Sequence, residues 1–245
     1  MLSFIVPAYN EEHELPQTLT AIRAAADASG RPYEIIVVDD DSTDATAAIA
    51  RNSGAIILAV RHRQIAAVRN AGACAARGDV LFFVDADTCI SPAHVTGALD
   101  ALADGCVGGG ARVATDDFVP LWGRIFVWVF CNLYFAVNLG AGAFLFTTRQ
   151  NFQAAGGFDE QFFAGEEVYF TLALKKLGRF KLLREPVITS GRKLRMYSAW
   201  HVLARSCAIV FGGKRAVRSR EKLDIWYDGK RETKPREPAS RGAPG

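Results

Sequence analysis

The chain has 245 residues, of which 50% are hydrophobic and 22% are charged, and its formal net charge is +3 at pH 7. Because half of the residues can enter a core, this composition excludes a largely disordered chain, and the length suits one large globular domain. The five cysteines are scattered without a CxxC pair, which argues against a disulfide framework and a zinc knuckle and indicates a reducing cytoplasm.

Short β-branched runs alternate with alanine-rich stretches from the N-terminus onward. The opening MLSFIVPAYNEE lacks the basic and apolar regions of a signal peptide and reads as a first strand. The predicted elements are, in order, strand LSFIV, a helix over about residues 15–29, strand EIIVV, a helix from Asp44, strand AIILAV, a helix through Arg77 and strand VLFFV. This alternation predicts an α/β fold with a Rossmann-like, mostly parallel central sheet and helices on both faces.

Polar residues follow three of the predicted strands, over residues 7–12, 39–44 and 85–88. Ligands of open α/β sheets bind beyond the carboxyl ends of the strands, so these loops are expected to share one crevice. Asp39 lies at a strand tip and should point into that crevice. Helix capping accounts for the polar residues that follow it, namely Asp41, Ser42 and Asp44.

Two carboxylates end the buried strand in DVLFFVDADT, with one alanine between Asp85 and Asp87. Desolvation and mutual repulsion disfavour such a pair unless a cation or a polar partner lies beside it. Carboxylate oxygens are ligands that hard divalent cations prefer, which favours a cation site here. The structural alternative is that both acids cap the following turn, SPAH.

After Cys106 the pattern changes to GGGAR, a long apolar segment and the loop GGFDEQFFAGEEVYF before the helical TLALKKLG. The glycines at 108–110 lack the spacing of a phosphate loop, so we expect a bend or a bulge in a strand. Glu166 and Glu167 are explained either by a favourable interaction with the helix dipole or by a role in chemistry. From Gly229 onward the charged, proline-containing composition predicts a disordered tail.

Four motifs occur in order between about residues 3 and 180: FIVPAYNEE, EIIVVDDDSTD, AVRNAGACAARGDVLFFVDADT and GGFDEQFFAGEEVYF. In this order and spacing they resemble family 2 glycosyltransferases with the GT-A fold. The resemblance implies inverting transfer of a sugar from a UDP- or GDP-linked donor to a glycan or lipid-linked acceptor, with Mn²⁺ or Mg²⁺. It also implies one GT-A-like catalytic domain over residues 1–228, followed by the tail at 229–245. Residues of about 1–105 would bind the nucleotide-sugar, and those of about 106–228 would form a smaller acceptor half with C-terminal helices.

The resemblance also assigns roles to the matching positions. The base and ribose pocket would be lined by Pro7, Tyr9 and Glu11, with Asp39 hydrogen-bonding the base and Arg69 near the nucleotide. Asp85 and Asp87 match the DxD pair, in which Asp87 binds a divalent cation that bridges the two donor phosphates. Such a cation neutralises charge on the departing diphosphate.

Two positions depart from the family pattern. Glutamates stand where the family usually has Glu-Asp, so the expected base is Glu167, with Glu166 as the alternative. Ser190 stands near the place of a histidine that completes the metal shell in many members, so the diphosphate would be steadied by Arg192, Lys193 or Arg195.

These departures leave other functions open. The first is a catalytically inactive nucleotide-sugar-binding module or partner subunit. The second is a sugar-phosphate nucleotidyltransferase, whose glycine-rich start is however replaced by VPAYNEE. The basic C-terminal part has few interleaved aromatic residues, which predicts no nucleic-acid binding.

Two apolar stretches bear on whether the protein contacts a membrane. The first, over residues 125–137, is shorter than the roughly 20 residues that cross a bilayer, and it reads as a core helix or an interfacial segment. The second, over residues 198–218, ends in positive charge, which favours peripheral contact with an anionic membrane. We expect a cytoplasmic protein, either free or at the inner face of the membrane.

Overall fold

The computed structural model describes residues 1–116 and 138–196, together with residues 122, 123 and 125. The predicted tail and the apolar stretch at 198–218 lie outside these residues, as does nearly all of the stretch at 125–137. None of the helices in the described ranges is both long and apolar enough to span a bilayer. The described elements, in chain order, are β1 (Leu2–Ala8), α1 (Leu15–Ala28), β2 (Tyr33–Asp39), α2 (Thr46–Asn52), β3 (Ile56–Ala59), α3 (Ile65–Ala75), β4 (Val80–Val84), β5 (Thr88–Cys89), α4 (Pro92–Ala103), β6 (Gly108–Thr115), β7 (Phe144–Thr148), α5 (Arg149–Ala154), α6 (Glu166–Leu177), β8 (Phe180–Thr189) and α7 (Arg192–Met196).

The strands form one mixed sheet in the order β3-β2-β1-β4-β7-β6-β8-β5. Strands β3, β2, β1 and β4 are mutually parallel, as the alternation of strands and helices predicts. Strand β7 pairs antiparallel with both β4 and β6, β6 is parallel to β8, and β5 is antiparallel to β8. The predicted α/β class with a mostly parallel sheet is therefore confirmed.

Two hydrophobic clusters cover the two faces of the sheet. Alternate residues of β4 enter different clusters, Phe82 on one face and Phe83 on the other, because successive side chains of a strand point in opposite directions. Helices α1 and α4 supply buried residues to the first cluster, and α3 and α6 supply them to the second. Helices thus lie on both faces of the sheet.

Helix α2 begins at Thr46, two residues after the start predicted at Asp44. The Asp44 carboxylate lies outside the helix and accepts a hydrogen bond from the Thr46 backbone N–H at 2.9 Å. The cap position itself is Ala45, so Asp44 binds the first helical N–H from one residue before the cap. Asp41 contacts Arg61 and Arg63, and Ser42 accepts from Asn10, so the capping predicted for these two residues is wrong.

The glycines of β6 allow close packing in the sheet. A methyl group on Gly109 would lie 2.2 Å from the carbonyl oxygen of Lys181 and 2.3 Å from the ring of Phe146. The register between β6 and β8 shifts between Ala111 and Arg112. The predicted irregularity therefore exists, but it follows the glycines, and the glycines themselves serve the approach of β7 and β8.

Candidate active site

The loops that follow β1, β2 and β4 lie together at one edge of the sheet. The backbone N–H of Asn10 donates to Ser42 Oγ at 3.0 Å, and that of Glu11 donates to Thr46 Oγ1 at 2.7 Å. The loop after β4 is tied to α1, since Thr18 Oγ1 donates to the carbonyl oxygen of Ala86 at 2.8 Å. The three loops therefore lie at the same edge of the sheet, and a shared crevice between them stays a prediction.

Arg69 of α3 joins two acids that come from different parts of the chain. Its Nη1 lies 2.5 Å from Glu166 Oε1, and its Nη2 lies 2.7 Å from Asp85 Oδ1 and 3.0 Å from the carbonyl oxygen of Gly142. Its side chain is only 2% exposed, and its Nε has no hydrogen-bond partner among the described residues. Burial would lower the pKa of Arg69, but the charges of Asp85 and Glu166 outweigh it and raise that pKa.

Arg192 of α7 makes a second such connection. Its guanidinium binds the carboxylate of Glu11 at 2.5 and 2.6 Å, and its Nη2 lies 3.4 Å from Asp87 Oδ2. Glu11 is buried, and the side chain of Asp87 is 16% exposed. The loops after β1 and β4 are thus bridged by one cation from the C-terminal part of the described chain.

Ser190 lies beside Asp87, close to where the family pattern places a histidine. Its backbone N–H donates to the carbonyl oxygen of Asp87 at 3.1 Å, while its Oγ donates to Glu14 at 2.9 Å. Thr189 Oγ1 donates to Asp87 Oδ1 at 3.2 Å. The strand end of β8 therefore contacts the second DxD acid through backbone and hydroxyl groups.

The remaining basic candidates lie differently. Arg195 Nη1 contacts Asp116 Oδ1 at 2.9 Å, and the same carboxylate accepts from the backbone N–H of Gly191 at 3.0 Å. Arg195 therefore braces the start of α7. The side chain of Lys193 lies outside the described part of the structure.

Glu166 and Glu167 form the first turn of α6, which starts after Gly165. Burial raises the pKa of both carboxyl groups, and at Glu166 the contact with Arg69 opposes that increase. Burial and the neighbouring charge of Glu166 together raise the pKa of Glu167 to about 8. The helix dipole favours acids here, but it does not account for the buried ion pair of Glu166 with Arg69. The two carboxyl groups therefore hold a proton more readily than an exposed glutamate does.

The loop that carries this acid pair is fastened to α3. Asn70 Nδ2 donates to the carbonyl oxygen of Phe158 at 2.8 Å and to Glu160 at 2.9 Å, and Asn70 Oδ1 accepts from Phe158 N–H at 2.9 Å. Asp159 accepts from the backbone N–H of Gln161 at 2.9 Å, as a turn residue does. The approach of Asn70 was not predicted, although its place next to Arg69 in VRNAG was the one signal available.

The residues expected around a nucleobase lie at the tips of β1 and β2. Pro7 is buried in β1, and Asp39 is buried at the end of β2, where it accepts from the backbone N–H of Ser42 at 3.3 Å. Tyr9 is half-buried, with the guanidinium carbon of Arg63 3.9 Å from its ring centroid. Arg63 was not predicted, because RHRQ contains no spacing that indicates a site.

The possible metal ligands are few in the described ranges, where no three His, Cys, Asp or Glu residues lie together as a metal cluster. Asp85 and Asp87 are the two carboxylates near the strand end of β4, with side chains 34% and 16% exposed. Each carboxylate contacts an arginine: Asp85 contacts Arg69, and Asp87 contacts Arg192. The protein itself thus supplies at most a pair of carboxylates here, within the part described.

Comparisons with known proteins bear on the family and the fold of this chain. Among curated relatives, the undecaprenyl-phosphate 4-deoxy-4-formamido-L-arabinose transferase of Pseudomonas aeruginosa (strain LESB58) is 35% identical over 126 residues, which are 48% of this chain and 37% of the relative. The transferase of the same name from Aeromonas hydrophila is 32% identical over 113 residues, 43% of this chain and 34% of the relative. The chain thus spans about a third of the length of these relatives.

Two solved structures are similar over most of the chain. A mannosyltransferase from Pyrobaculum calidifontis in complex with GDP-Man and Mn²⁺ has a TM-score of 0.62 at 20% identity, over 93% of this chain and 68% of that one. Residues 1–349 of S. aureus TarS in complex with UDP-GlcNAc give a TM-score of 0.61 at 18% identity, over 93% of this chain and 72% of that one. At these identities the likeness shows a shared GT-A fold. The family model described as Glycosyl transferase family 2 matches residues 3–183, and the chain therefore belongs to that family.

Proposed function

We propose that this chain is the catalytic domain of an inverting, metal-assisted glycosyltransferase that uses a UDP- or GDP-linked sugar. The observation that carries the proposal is the contact of Arg69 with both Asp85 and Glu166. It unites the end of β4, where a donor diphosphate would bind, with the start of α6, where a base would act. We assign this catalytic domain to residues 1–228, with a donor half over about 1–105.

The donor nucleotide would lie across the tips of β1 and β2. Pro7 and Tyr9 would line its pocket, and Asp39 would accept a hydrogen bond from the base. Glu11 would act through Arg192, because the two side chains already form a bidentate ion pair. Arg192 would then present its guanidinium, close to Asp87, to the donor phosphates.

The acids at the end of β4 suit a divalent cation held mainly by its substrate. Mg²⁺ in phosphate sites usually binds one or two carboxylates and completes its shell with phosphate oxygens and water, and Mn²⁺ also suits oxygen ligands. Asp87 would be the principal ligand, and Asp85, already bound to Arg69, the secondary one. Bound there, the ion would neutralise charge on the diphosphate leaving group. The complex of the Pyrobaculum mannosyltransferase with GDP-Man and Mn²⁺ supports this choice of ion.

Glu167 would be the general base. Glu166 forms an ion pair with Arg69, whereas Glu167, whose carboxyl pKa is also raised, suits removal of a proton from an acceptor hydroxyl. The hydroxyl oxygen would attack the anomeric carbon from the face opposite the diphosphate, and the bond between that carbon and the phosphate oxygen would break, which inverts the configuration. The proton would pass to the Glu167 carboxylate.

The base role of Glu167 belongs to a hydroxyl acceptor, and the second acceptor class is a lipid phosphate, supported by the curated relatives, whose names specify undecaprenyl-phosphate. An enzyme with such an acceptor would work in the cytoplasm at the inner face of the membrane, through peripheral contact. A phosphate acceptor has an ionised oxygen and needs no base, whereas a glycan hydroxyl does. The dependence of transfer on Glu167 therefore distinguishes the two acceptor classes.

A second candidate is a nucleotide-sugar-binding module without catalytic activity. It is favoured by the contacts of Asp85 and Asp87 with arginines, which place guanidinium groups where a catalytic cation would act. Family membership gives the sugar-phosphate nucleotidyltransferase alternative no support.

The decisive experiment is a screen of UDP- and GDP-sugars for donor hydrolysis and for transfer to undecaprenyl phosphate or glycan acceptors. Each donor is tested with Mn²⁺, with Mg²⁺ and with EDTA, and binding of UDP and GDP is measured in parallel. Metal-dependent release of the nucleoside diphosphate supports the transferase. Tight nucleotide binding without turnover of any donor supports the inactive module, and absence of nucleotide binding contradicts both.

A further inference from the structure

The loops that follow β1, β2 and β3 share an unusual backbone feature. Asn10, Asp41 and Arg63 have φ angles of 53°, 65° and 52°, in the left-handed region that non-glycine residues seldom adopt. Asn10 follows Tyr9 in the chain, and Arg63, which contacts Asp41, lies over the ring of Tyr9. Such conformations persist where the surroundings impose them, often at functional sites. The backbone around Tyr9 is therefore held in a set conformation by its neighbours.

The conformation of Arg63 is imposed by a buried acid. One carboxylate oxygen of Asp40 accepts hydrogen bonds from the backbone N–H groups of His62 at 2.7 Å and Arg63 at 3.0 Å. Asp40 is 6% exposed, so these are the kind of bonds that a buried carboxylate requires. The turn after β3 is thereby fixed to the tip of β2.

The side chain of Arg63 is held at its other end as well. Its guanidinium carbon lies 3.9 Å from the ring centroid of Tyr9, and its Nη2 lies 3.4 Å from Asp41 Oδ2. Its side chain remains 30% exposed, so part of it faces solvent. A guanidinium that lies over a tyrosine ring in a partly exposed side chain matches the flat faces on which nucleobases stack.

We propose that Arg63 is a nucleobase-binding residue, which forms with Tyr9 the platform on which the donor's base stacks. The inference rests on the proposed function, because it takes Tyr9 as part of the nucleotide pocket. It adds a contact from a third loop, whose residues carry no motif. The interaction concerns the planar base, and it does not involve the diphosphate.

The test is titration calorimetry of UDP, GDP and inorganic pyrophosphate, with Mg²⁺ present. It compares the wild type with Arg63→Ala, Arg63→Lys and the control Arg61→Ala. Arg61 also contacts Asp41, at 3.3 Å, but its side chain is 82% exposed. We expect both Arg63 variants to bind the nucleotide about tenfold more weakly and pyrophosphate as before. Arg61→Ala should bind all three ligands like the wild type.

The two Arg63 variants separate stacking from charge and folding. Both keep a non-glycine residue at the strained position, and lysine also keeps the charge near Asp41, so Arg63→Lys decides the matter should Arg63→Ala fail to fold. Equal losses for nucleotide and pyrophosphate, or equal losses in Arg61→Ala, would show a general charge effect and overturn the inference. Unchanged or tighter nucleotide binding by the Arg63 variants would also overturn it, and would leave the proposed function intact. A wild type that binds neither nucleotide would overturn the proposed function itself.

Discussion

The guanidinium of Arg192 forms a bidentate ion pair with the carboxylate of Glu11, with Nη1 2.5 Å from Oε2 and Nη2 2.6 Å from Oε1. Glu11 follows the first strand, and Arg192 begins the last described helix. The pair is largely buried, where bidentate charged hydrogen bonds are strong. This contact sets the distance between the donor-side loops and the C-terminal part of the described chain, and it brings a positive charge close to Asp87.

Replacement of Glu167 by glutamine should abolish base catalysis while leaving donor binding intact. Glutamine has the same shape but cannot accept the proton, so transfer to a hydroxyl acceptor should fall by about 10²-fold or more. Steady-state kinetics and calorimetric nucleotide binding check this. Glu160→Gln is the matched control, because Glu160 is exposed on the loop before α6 and a glutamine amide oxygen can still accept the hydrogen bond from Asn70, so this variant should keep full activity. Full turnover of a hydroxyl acceptor by Glu167→Gln would rule out this residue as the base.

The raised pKa of Glu167 should also appear in the stability of the protein. Its carboxyl pKa is 4.5 as a reference value and about 8 in the fold, so between these values the folded protein holds a proton that the unfolded chain releases. The stability of the wild type should therefore fall as pH rises across this range. Glu167→Gln removes that dependence, so its melting temperature relative to the wild type should increase by several degrees between pH 5 and pH 8. A difference that is constant with pH would contradict the shift.

Removal of the guanidinium of Arg69 should destabilise the fold strongly. Arg69→Met leaves the buried Glu166 and the partly buried Asp85 without their shared cation, and breaking a buried ion pair in this way costs about 3–5 kcal/mol. Urea unfolding measures the loss. The control Arg61→Met breaks an exposed contact and should change the free energy of unfolding by less than about 1 kcal/mol. Similar losses in the free energy of unfolding for the two variants would show that the contacts of Arg69 with Asp85 and Glu166 do not stabilise the fold.

Metal dependence of nucleotide binding should require Asp87. Asp87→Asn removes the charge of the principal proposed ligand, so the gain in UDP or GDP affinity on addition of Mn²⁺ should drop by at least about tenfold. Calorimetric titrations with Mn²⁺ and with EDTA measure that gain. The control Asp100→Asn changes an exposed acid on α4 and should keep the full gain in nucleotide affinity on addition of Mn²⁺. An unchanged Mn²⁺-dependent gain in nucleotide affinity in Asp87→Asn would show that Asp87 is not a ligand of the ion.

Much of the first half of the fold was predictable because its patterns are local. The apolar run VLFFV corresponds to β4 at Val80–Val84, and the predicted first helix corresponds to α1 at Leu15–Ala28. The hydrophobic periods of strands and helices involve residues close together in the chain, so they can be recognised in the sequence without knowledge of the tertiary contacts. The start of α2 was placed too early, because a capping acid precedes the helix by a variable number of residues.

By itself the sequence determined the α/β alternation, the family motifs and the positions of acids at strand and helix ends. Only the tertiary structure decided which side chains meet: Arg69 with Asp85 and Glu166, Arg192 with Glu11, and Arg63 with the ring of Tyr9. The physical reason is that a buried charge takes the nearest opposite charge in space, and that partner lies up to 181 residues away along the chain. Periodicity and spacing contain no information about such distances, whereas the packed sheet sets them.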